Sequence, residues 1–185
     1  MINQKLINFY YRHLYPSRTL ENIQPENLFL LDLIGPDESI IDVGCGNNFF
    51  KQKFNNLIGI DPANPLADYE ETLEEFASKI TQRNLSKFDV AICLGSINFG
   101  NEEDILNQIS CLASLMQKNS RIYWRNSRED THSSNYFSGL NLEVFKWNLE
   151  KHNEYAKQFN YNIAAESWHP NVSDSKKRLY VLWNR

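Results

Sequence analysis

The chain has 185 residues, a length that points to one domain with a full hydrophobic core. Its 42% hydrophobic and 23% charged residues are globular values that argue against disorder, and a formal net charge of −4 supplies no long-range attraction to nucleic-acid phosphates or anionic membranes. No apolar run reaches the ~18 residues of a membrane span and no secretory leader is visible, so a soluble cytoplasmic protein with neither a nucleic-acid nor a membrane partner is expected.

Residues 1–37 are expected to form a helical cap on the same domain. Leu6, Ile7, Phe9, Tyr10 and Leu14 follow helical spacing between Asn3 and Tyr15, and Pro16 ends the element. A second helix begins near Gln24 with Pro25 in its first turn, runs through Leu28, Phe29, Leu31 and Leu33, and stops at Gly35-Pro36.

Residues 38–185 read as the core, and its organising stretch is SIIDVGCGNNFFKQKFNNLIGID, Ser39 to Asp61. Ile40, Ile41 and Val43 make a buried strand that breaks into a Gly44-Cys45-Gly46 turn. Phe49, Phe50 and Phe54 then lie on one side of a helix, with Asn47 or Asn48 as its cap, and Leu57 to Ile60 form a second strand ending at Asp61. This is a βαβ unit, which closes right-handed and sets both strand ends on one edge of a parallel sheet, where ligands bind. Asp61 follows Asp42 by 19 residues, close to the roughly 20 expected of a ribose-binding carboxylate, so a nucleoside ligand is the first inference.

A dinucleotide fingerprint needs a third glycine where this chain has Phe49, which weakens an NAD reading. Asp42, just before the turn, would repel a pyrophosphate but suits a ligand carrying an ammonium and a sulfonium, which is S-adenosylmethionine. The segments DVGCGN and GID resemble the first two motifs of class I S-adenosylmethionine-dependent methyltransferases. The resemblance implies that Gly44, Cys45 and Gly46 approach the methionine part by backbone, that Asp42 orients it, and that Asp61 takes the ribose hydroxyls. Asn47 stands in place of the family's third glycine, and Pro62 follows Asp61 in the cofactor-binding set. In that family the leading helices cover the active-site mouth, although packing on the sheet is the plainer role for most of Tyr10, Tyr11, His13 and Tyr15.

After Asp61, Pro62 and Pro65 break the chain early. One reading makes Ala67 to Tyr69 a brief third strand and EETLEEF the loop beside the adenine, with Glu71, Thr72 and Leu73 as the contacts that the resemblance implies. The other is an acidic helix from Leu66 to Ile80 with Leu73, Phe76 and Ile80 buried. The sequence leaves both open.

FDVAICL, Phe88 to Leu94, is a fully buried strand that meets Gly95-Ser96 at once. With the residues after it, it resembles the family's fourth motif, which implies cofactor contacts from Leu94, Gly95 and Ser96 and places Ile97, Asn98 and Phe99 toward the methyl acceptor. A turn or capping role for Asn98 is equally open. The Pro-Pro-Tyr or Pro-Pro-Trp run of amino-methylating base enzymes and the Pro-Cys of cytosine-C5 enzymes are missing, which disfavours DNA bases as acceptors.

Glu102, Glu103 and Asp104 open the next helix, Ile105, Ile109, Leu112 and Leu115 form its buried stripe, and Lys118-Asn119 closes it. Arg121 to Trp124 form a strand. Arg125 to Leu140 make a polar segment too long for a plain connection, the natural place for an acceptor-binding flap that could use Arg125, Arg128, His132 and Tyr136. For any single one of these, a solvated loop is the plainer reading. A helix from Asn148 to Phe159 and strands from Tyr161 to Trp168 and Lys177 to Trp183 resemble the family's finish, whose last strand lies antiparallel between the fifth and sixth. Asn160 replaces the glycine that commonly ends the helix.

The fold expected is α/β, a three-layer αβα sandwich on a mostly parallel seven-stranded sheet with its seventh strand antiparallel. Cys45, Cys93 and Cys111 read as reduced thiols, no Cys or His pairs stand at metal-ligand intervals, and Ser96 lacks a Gly-x-Ser-x-Gly elbow. The function expected is methyl transfer by in-line displacement to a small-molecule or protein acceptor, which requires positioning more than a catalytic group. Where a base is needed, His132, His169 or an acid could serve. The alternatives are a non-catalytic nucleoside-binding module of the same fold, or an aminopropyltransferase or NAD-dependent enzyme. The sequence sets no oligomeric state.

Overall fold

The computed structural model describes residues 4–9, 11–12, 28–127, 143–169 and 178–185. Among the described residues six strands form one sheet: β1 (Ile40–Val43), β2 (Leu57–Ile60), β3 (Phe88–Leu94), β4 (Met116–Ser127), β5 (Asn162–Ala165) and β6 (Arg178–Asn184). Their spatial order is β2-β1-β3-β4-β6-β5. The first four are parallel, and β6 runs antiparallel between β4 and β5. Where seven strands were expected, the Ala67–Tyr69 segment forms only a single parallel bridge from Tyr69 to Ile60. The Asp68 carboxylate accepts the Gly59 N–H at 2.8 Å, and the Asp68 and Tyr69 amides both turn to the Gly59 carbonyl. A segment folded back this tightly has no run of free backbone groups to continue a ladder.

The sheet is buried on both faces, which is why β1 and β3 read as continuous apolar runs. On one face Ile41, Val43, Ala91, Cys93, Ile122 and Trp124 pack against α3 (Leu73–Lys79), α4 (Glu102–Leu115) and α5 (Leu149–Gln158). On the other, Ile40, Val90, Ile92 and Tyr123 meet Phe50, Phe54 and the short helix α2 (Leu30–Leu33). α1 (Gln4–Phe9) lies further toward the amino end. Only the last part of the second expected helix, 28–33, falls among the described residues, and it stops before Gly35-Pro36 as its sequence requires. No helix among the described residues is long and apolar enough to cross a membrane.

Other boundaries move for local reasons. The β1–β2 crossover is one 3-10 turn, Phe49–Gln52, rather than an α-helix, and Asn48 at its start makes no side-chain cap bond to it. Asn48 sits in the left-handed region at φ 52° and sends its amide to the Leu66 carbonyl and Asp68 instead. α3 occupies the second half of the alternative acidic helix, so EETLEEF is helical from Leu73 onward. Thr72 and Glu75 close a capping box, and Leu73 and Phe76 are buried. α4 begins at a second capping box, between Asn101 and Asp104, and its expected stripe is fully buried. It ends at Leu115 instead of Lys118-Asn119, because Met116 is already extended and pairs with Phe88. Asn160 does end α5 in the left-handed region, at φ 61°.

One glycine has a role that the sequence pattern hid. A Cβ on Gly59 would stand 2.3 Å from Asn48 Oδ1 and 2.9 Å from Cys45 Sγ. Gly59→Ala is therefore expected to displace Asn48 from the turn and cost about 1 to 3 kcal/mol, read as a lower urea midpoint with an unchanged slope.

Candidate functional site

The carboxyl ends of β1, β2, β3 and β4 converge on the Gly44–Gly46 turn. The Gly44 and Cys45 amides both donate to the Ile60 carbonyl, at 2.8 and 3.1 Å, which locks the turn to the end of β2. Gly44 (φ 68°) is left-handed, and a Cβ there would lie 2.6 Å from Ser96 Cβ, so the turn and the residues after β3 meet at van der Waals contact. Ser96 in turn lies beside the Cys93 thiol.

Asp42 is 4% exposed at the end of β1. Burial first, and then the Asp61 charge, push its pKa up to about 7, while Arg125 opposes the rise. Asp61 follows β2 and accepts from the Gly46 N–H at 3.0 Å through Oδ2 and from the Ala63 N–H at 2.8 Å through Oδ1. Burial raises its pKa as well, and these amides and Arg12 hold the rise back. With the Asn64 N–H as a third backbone donor, the carboxylate is held firmly and keeps one of its roughly four lone-pair sites for a ligand hydroxyl.

A third acid, Asp68, was not among the expected site residues because no spacing marked it. Burial works against its charge, but the Gly59 N–H, the Asn48 amide and Lys51 together bring its pKa below the usual range. Asp42, Asp61 and Asp68 all add to burial in pushing the Cys45 thiol up, so the glycine turn sits in a negative field and Cys45 is a neutral thiol.

The remaining expected residues divide by element. Asn47 Oδ1 accepts from the Asn64 amide at 2.9 Å, and the Pro62 carbonyl accepts from Arg12 Nη2 at 3.4 Å, so both belong to the loop around Asp61. Arg12 also reaches the Ala63 carbonyl and pairs with Glu70, and Tyr11 meets Phe99 edge-on at 6.1 Å. The N-terminal segment thus touches both the β2 and the β3 sides of the site. Thr72 Oγ1 caps α3 by accepting the Glu75 N–H, and Leu73 points into the core. Glu71 is held by Arg83 and Lys79, each at 2.7 Å, and the Arg83 bond leads in lowering its pKa to about 2. Arg83 lies 4.3 Å over the Tyr69 ring.

At the β3 and β4 ends, Arg125 Nη2 donates to the Leu94 carbonyl at 2.9 Å. Asn98 is buried and donates to the Gly95 carbonyl at 2.9 Å, closing the Gly95–Asn98 turn, and its Oδ1 accepts from Asn126 Nδ2 at 3.0 Å. Ile97 is tied through its carbonyl to the Trp147 indole N–H at 2.9 Å. Arg128, His132 and Tyr136, like Tyr10, His13 and Tyr15, lie outside the described residues. His169 packs in the other-face region against Phe29, Trp168 and Tyr180, away from the glycine turn. The three cysteines are free, and no cluster of metal-binding side chains occurs among the described residues.

No family model and no curated protein sequence matches the chain. Solved structures do. A SAM-dependent methyltransferase from Anabaena variabilis is 15% identical, with 98% of this chain and 92% of that one covered and a TM-score of 0.69. The N-methyltransferase NodS from Bradyrhizobium japonicum, in complex with S-adenosylhomocysteine, is 12% identical over 98% and 97% of the two chains, with a TM-score of 0.68. The 1,6-didemethyltoxoflavin-N1-methyltransferase from Burkholderia thailandensis, with 1,6-didemethyltoxoflavin and S-adenosylhomocysteine bound, is 12% identical over 98% and 86%, with a TM-score of 0.66. The strand order, the single antiparallel strand next to the sheet edge and these likenesses agree, and the chain has the fold of the class I S-adenosylmethionine-dependent methyltransferases.

Proposed function

We propose that the chain is an S-adenosylmethionine-dependent methyltransferase acting on a small-molecule acceptor. The observation that carries this is the placement of two carboxylates on the glycine turn, Asp61 accepting the Gly46 N–H at 3.0 Å and the buried Asp42 lying just before Gly44 at the end of β1. A pyrophosphate placed there would be repelled, which argues against the NAD alternative, whereas an amino group and a sulfonium would each be attracted. Asp42 would receive the ammonium, the Gly44–Gly46 backbone and Ser96 would line the methionine part, and Asp61 would take the ribose hydroxyls. Asn47, Pro62, Leu94 and Gly95 complete the proposed cofactor set. Thr72 and Leu73 remain in it at the adenine end, through the backbone at the start of α3, since their side chains serve the helix.

When bound, the cofactor supplies a methyl already activated for displacement, so the protein has to hold donor and acceptor in line and exclude water. A small-molecule acceptor is supported by two proteins of the same fold, a 1,6-didemethyltoxoflavin-N1-methyltransferase and a magnesium protoporphyrin IX methyltransferase. Asn98, Arg125 and Tyr136 would be the contacts to the acceptor.

Calorimetry with S-adenosylmethionine, S-adenosylhomocysteine and NAD tests the reading: the first two should bind, and binding of NAD alone would overturn it. Asp61→Ala should weaken S-adenosylhomocysteine by about 1.5 to 3 kcal/mol, the value of lost charge-assisted hydrogen bonds.

A further inference from the structure

The amide orientations at the β3 and β4 ends are set by their partners. The Gly95 carbonyl can only accept, so Asn98 must turn its NH2 toward it and its oxygen toward Asn126. Asn126 must then offer its own NH2 to Asn98, which leaves Asn126 Oδ1 as the free end of the chain of bonds. That oxygen is buried, the residue is 1% exposed, and the oxygen has no hydrogen-bond partner. A buried acceptor left unmade costs about 1 to 3 kcal/mol, a cost that folded proteins tolerate where a ligand meets it.

Its position supplies the reason. Asn126 lies near the carboxyl end of β4, two hydrogen bonds from the Gly95 carbonyl, and Ser96, the next residue, touches Gly44 of the turn. Aromatic side chains crowd the same neighbourhood: Phe99 bridges to the 143–147 segment, the Phe145 N–H donates to the Asn98 carbonyl, and the Trp147 indole holds Ile97. Apolar walls disfavour an unpaired charge, so the missing donor is a neutral one.

We propose that Asn126 Oδ1 accepts a hydrogen bond from the methyl acceptor, and that the acceptor is a neutral molecule whose nucleophilic nitrogen or oxygen carries a hydrogen. The inference rests on the methyltransferase reading and narrows it, since a carboxylate, a tertiary amine or a thioether leaves the oxygen unmet. The amide takes no proton. It orients the N–H or O–H so that the lone pair faces the cofactor side; as the bond from this nitrogen or oxygen to the methyl carbon formed, the carbon–sulfonium bond would break with its electron pair left on the neutral thioether sulfur, and the acceptor's proton would pass to solvent.

The test uses the full chain saturated with S-adenosylhomocysteine and two matched pairs of probes, aniline against N,N-dimethylaniline and phenol against anisole. Calorimetry should show the protic member of at least one pair binding roughly tenfold more tightly. Asn126→Leu should abolish that preference while S-adenosylhomocysteine affinity stays within about twofold, and Asn126→Asp, which keeps an acceptor oxygen but loses the donor to Asn98, should retain it. A purely structural link to Asn98 would remove the preference in both variants. Equal binding within both pairs, binding of neither member of either, or an unchanged preference in Asn126→Leu overturns the proposal while leaving the cofactor reading standing. Failure of S-adenosylhomocysteine to bind the unaltered chain overturns both.

Discussion

Asp42→Asn is expected to make the ligand-free chain more stable at pH 8 and to make it bind S-adenosylmethionine poorly. Both effects come from one charge. Burial and Asp61 raise the Asp42 pKa from 3.8 to about 7, so the folded chain binds a proton there that the unfolded chain has released. The sign follows: stability is highest below the unfolded pKa and falls as pH rises from about 4 through 7. The shift of about three units corresponds to as much as about 4 kcal/mol, and the neutral amide would recover part of it. The same charge is what an ammonium ligand needs. Its removal should weaken S-adenosylmethionine and S-adenosylhomocysteine by at least about 1.5 to 3 kcal/mol. In the unaltered chain, binding near pH 6.5 should release about three-quarters of a proton, seen as a calorimetric enthalpy that varies with the ionisation enthalpy of the buffer. A variant that lost affinity and apo stability together would show that Asp42 is a structural group instead.

The second large effect is expected at acid pH and far from the site. His152 on α5 is fully buried, stacked on Trp147 with ring centroids 4.4 Å apart and edged by Trp124 and Trp183 at 5.8 Å, and neither of its ring nitrogens has a hydrogen-bond partner. Burial alone depresses its pKa from 6.5 to about 3. A histidine with a depressed folded pKa gives stability that is complete above 6.5 and is lost as pH falls toward 3. The loss should reach about 3 kcal/mol by pH 4.5 and about 4 kcal/mol at pH 3. Asp42 titrates with the opposite sign over an overlapping range, so the quantity to read is the difference between the chain and His152→Phe. The difference between their urea midpoints should be constant near pH 7.5 and shift steadily in favour of the phenylalanine variant below 6.5. Parallel curves would mean that protonated His152 finds a partner in the fold.

Several elements were legible because their local pattern and their tertiary role coincide. β1 and β3 are covered on both faces, so continuous apolar runs mark them, and α4 carries its whole buried stripe at helical spacing. Asn160 announced a left-handed residue after α5. The errors arose where a side chain chose a distant partner over a near one. Asn48 forgoes capping because Asp68 and the Leu66 carbonyl are within reach, and Ala67–Tyr69 fails as a strand because Asp68 spends its carboxylate on Gly59.

By itself the sequence determined the first two strands, the glycine turn between them and the two acids at their tips, since each depends on residue type at short range, while the antiparallel last strand followed from the resemblance to a family. The tertiary structure alone decided the third carboxylate at the turn, the close approach of Gly59 to Asn48, the isolation of His152 among indoles, and the unmet oxygen of Asn126. These depend on which groups meet across 10 to 50 residues of chain and on what burial leaves them to bond with, and no local spacing encodes either.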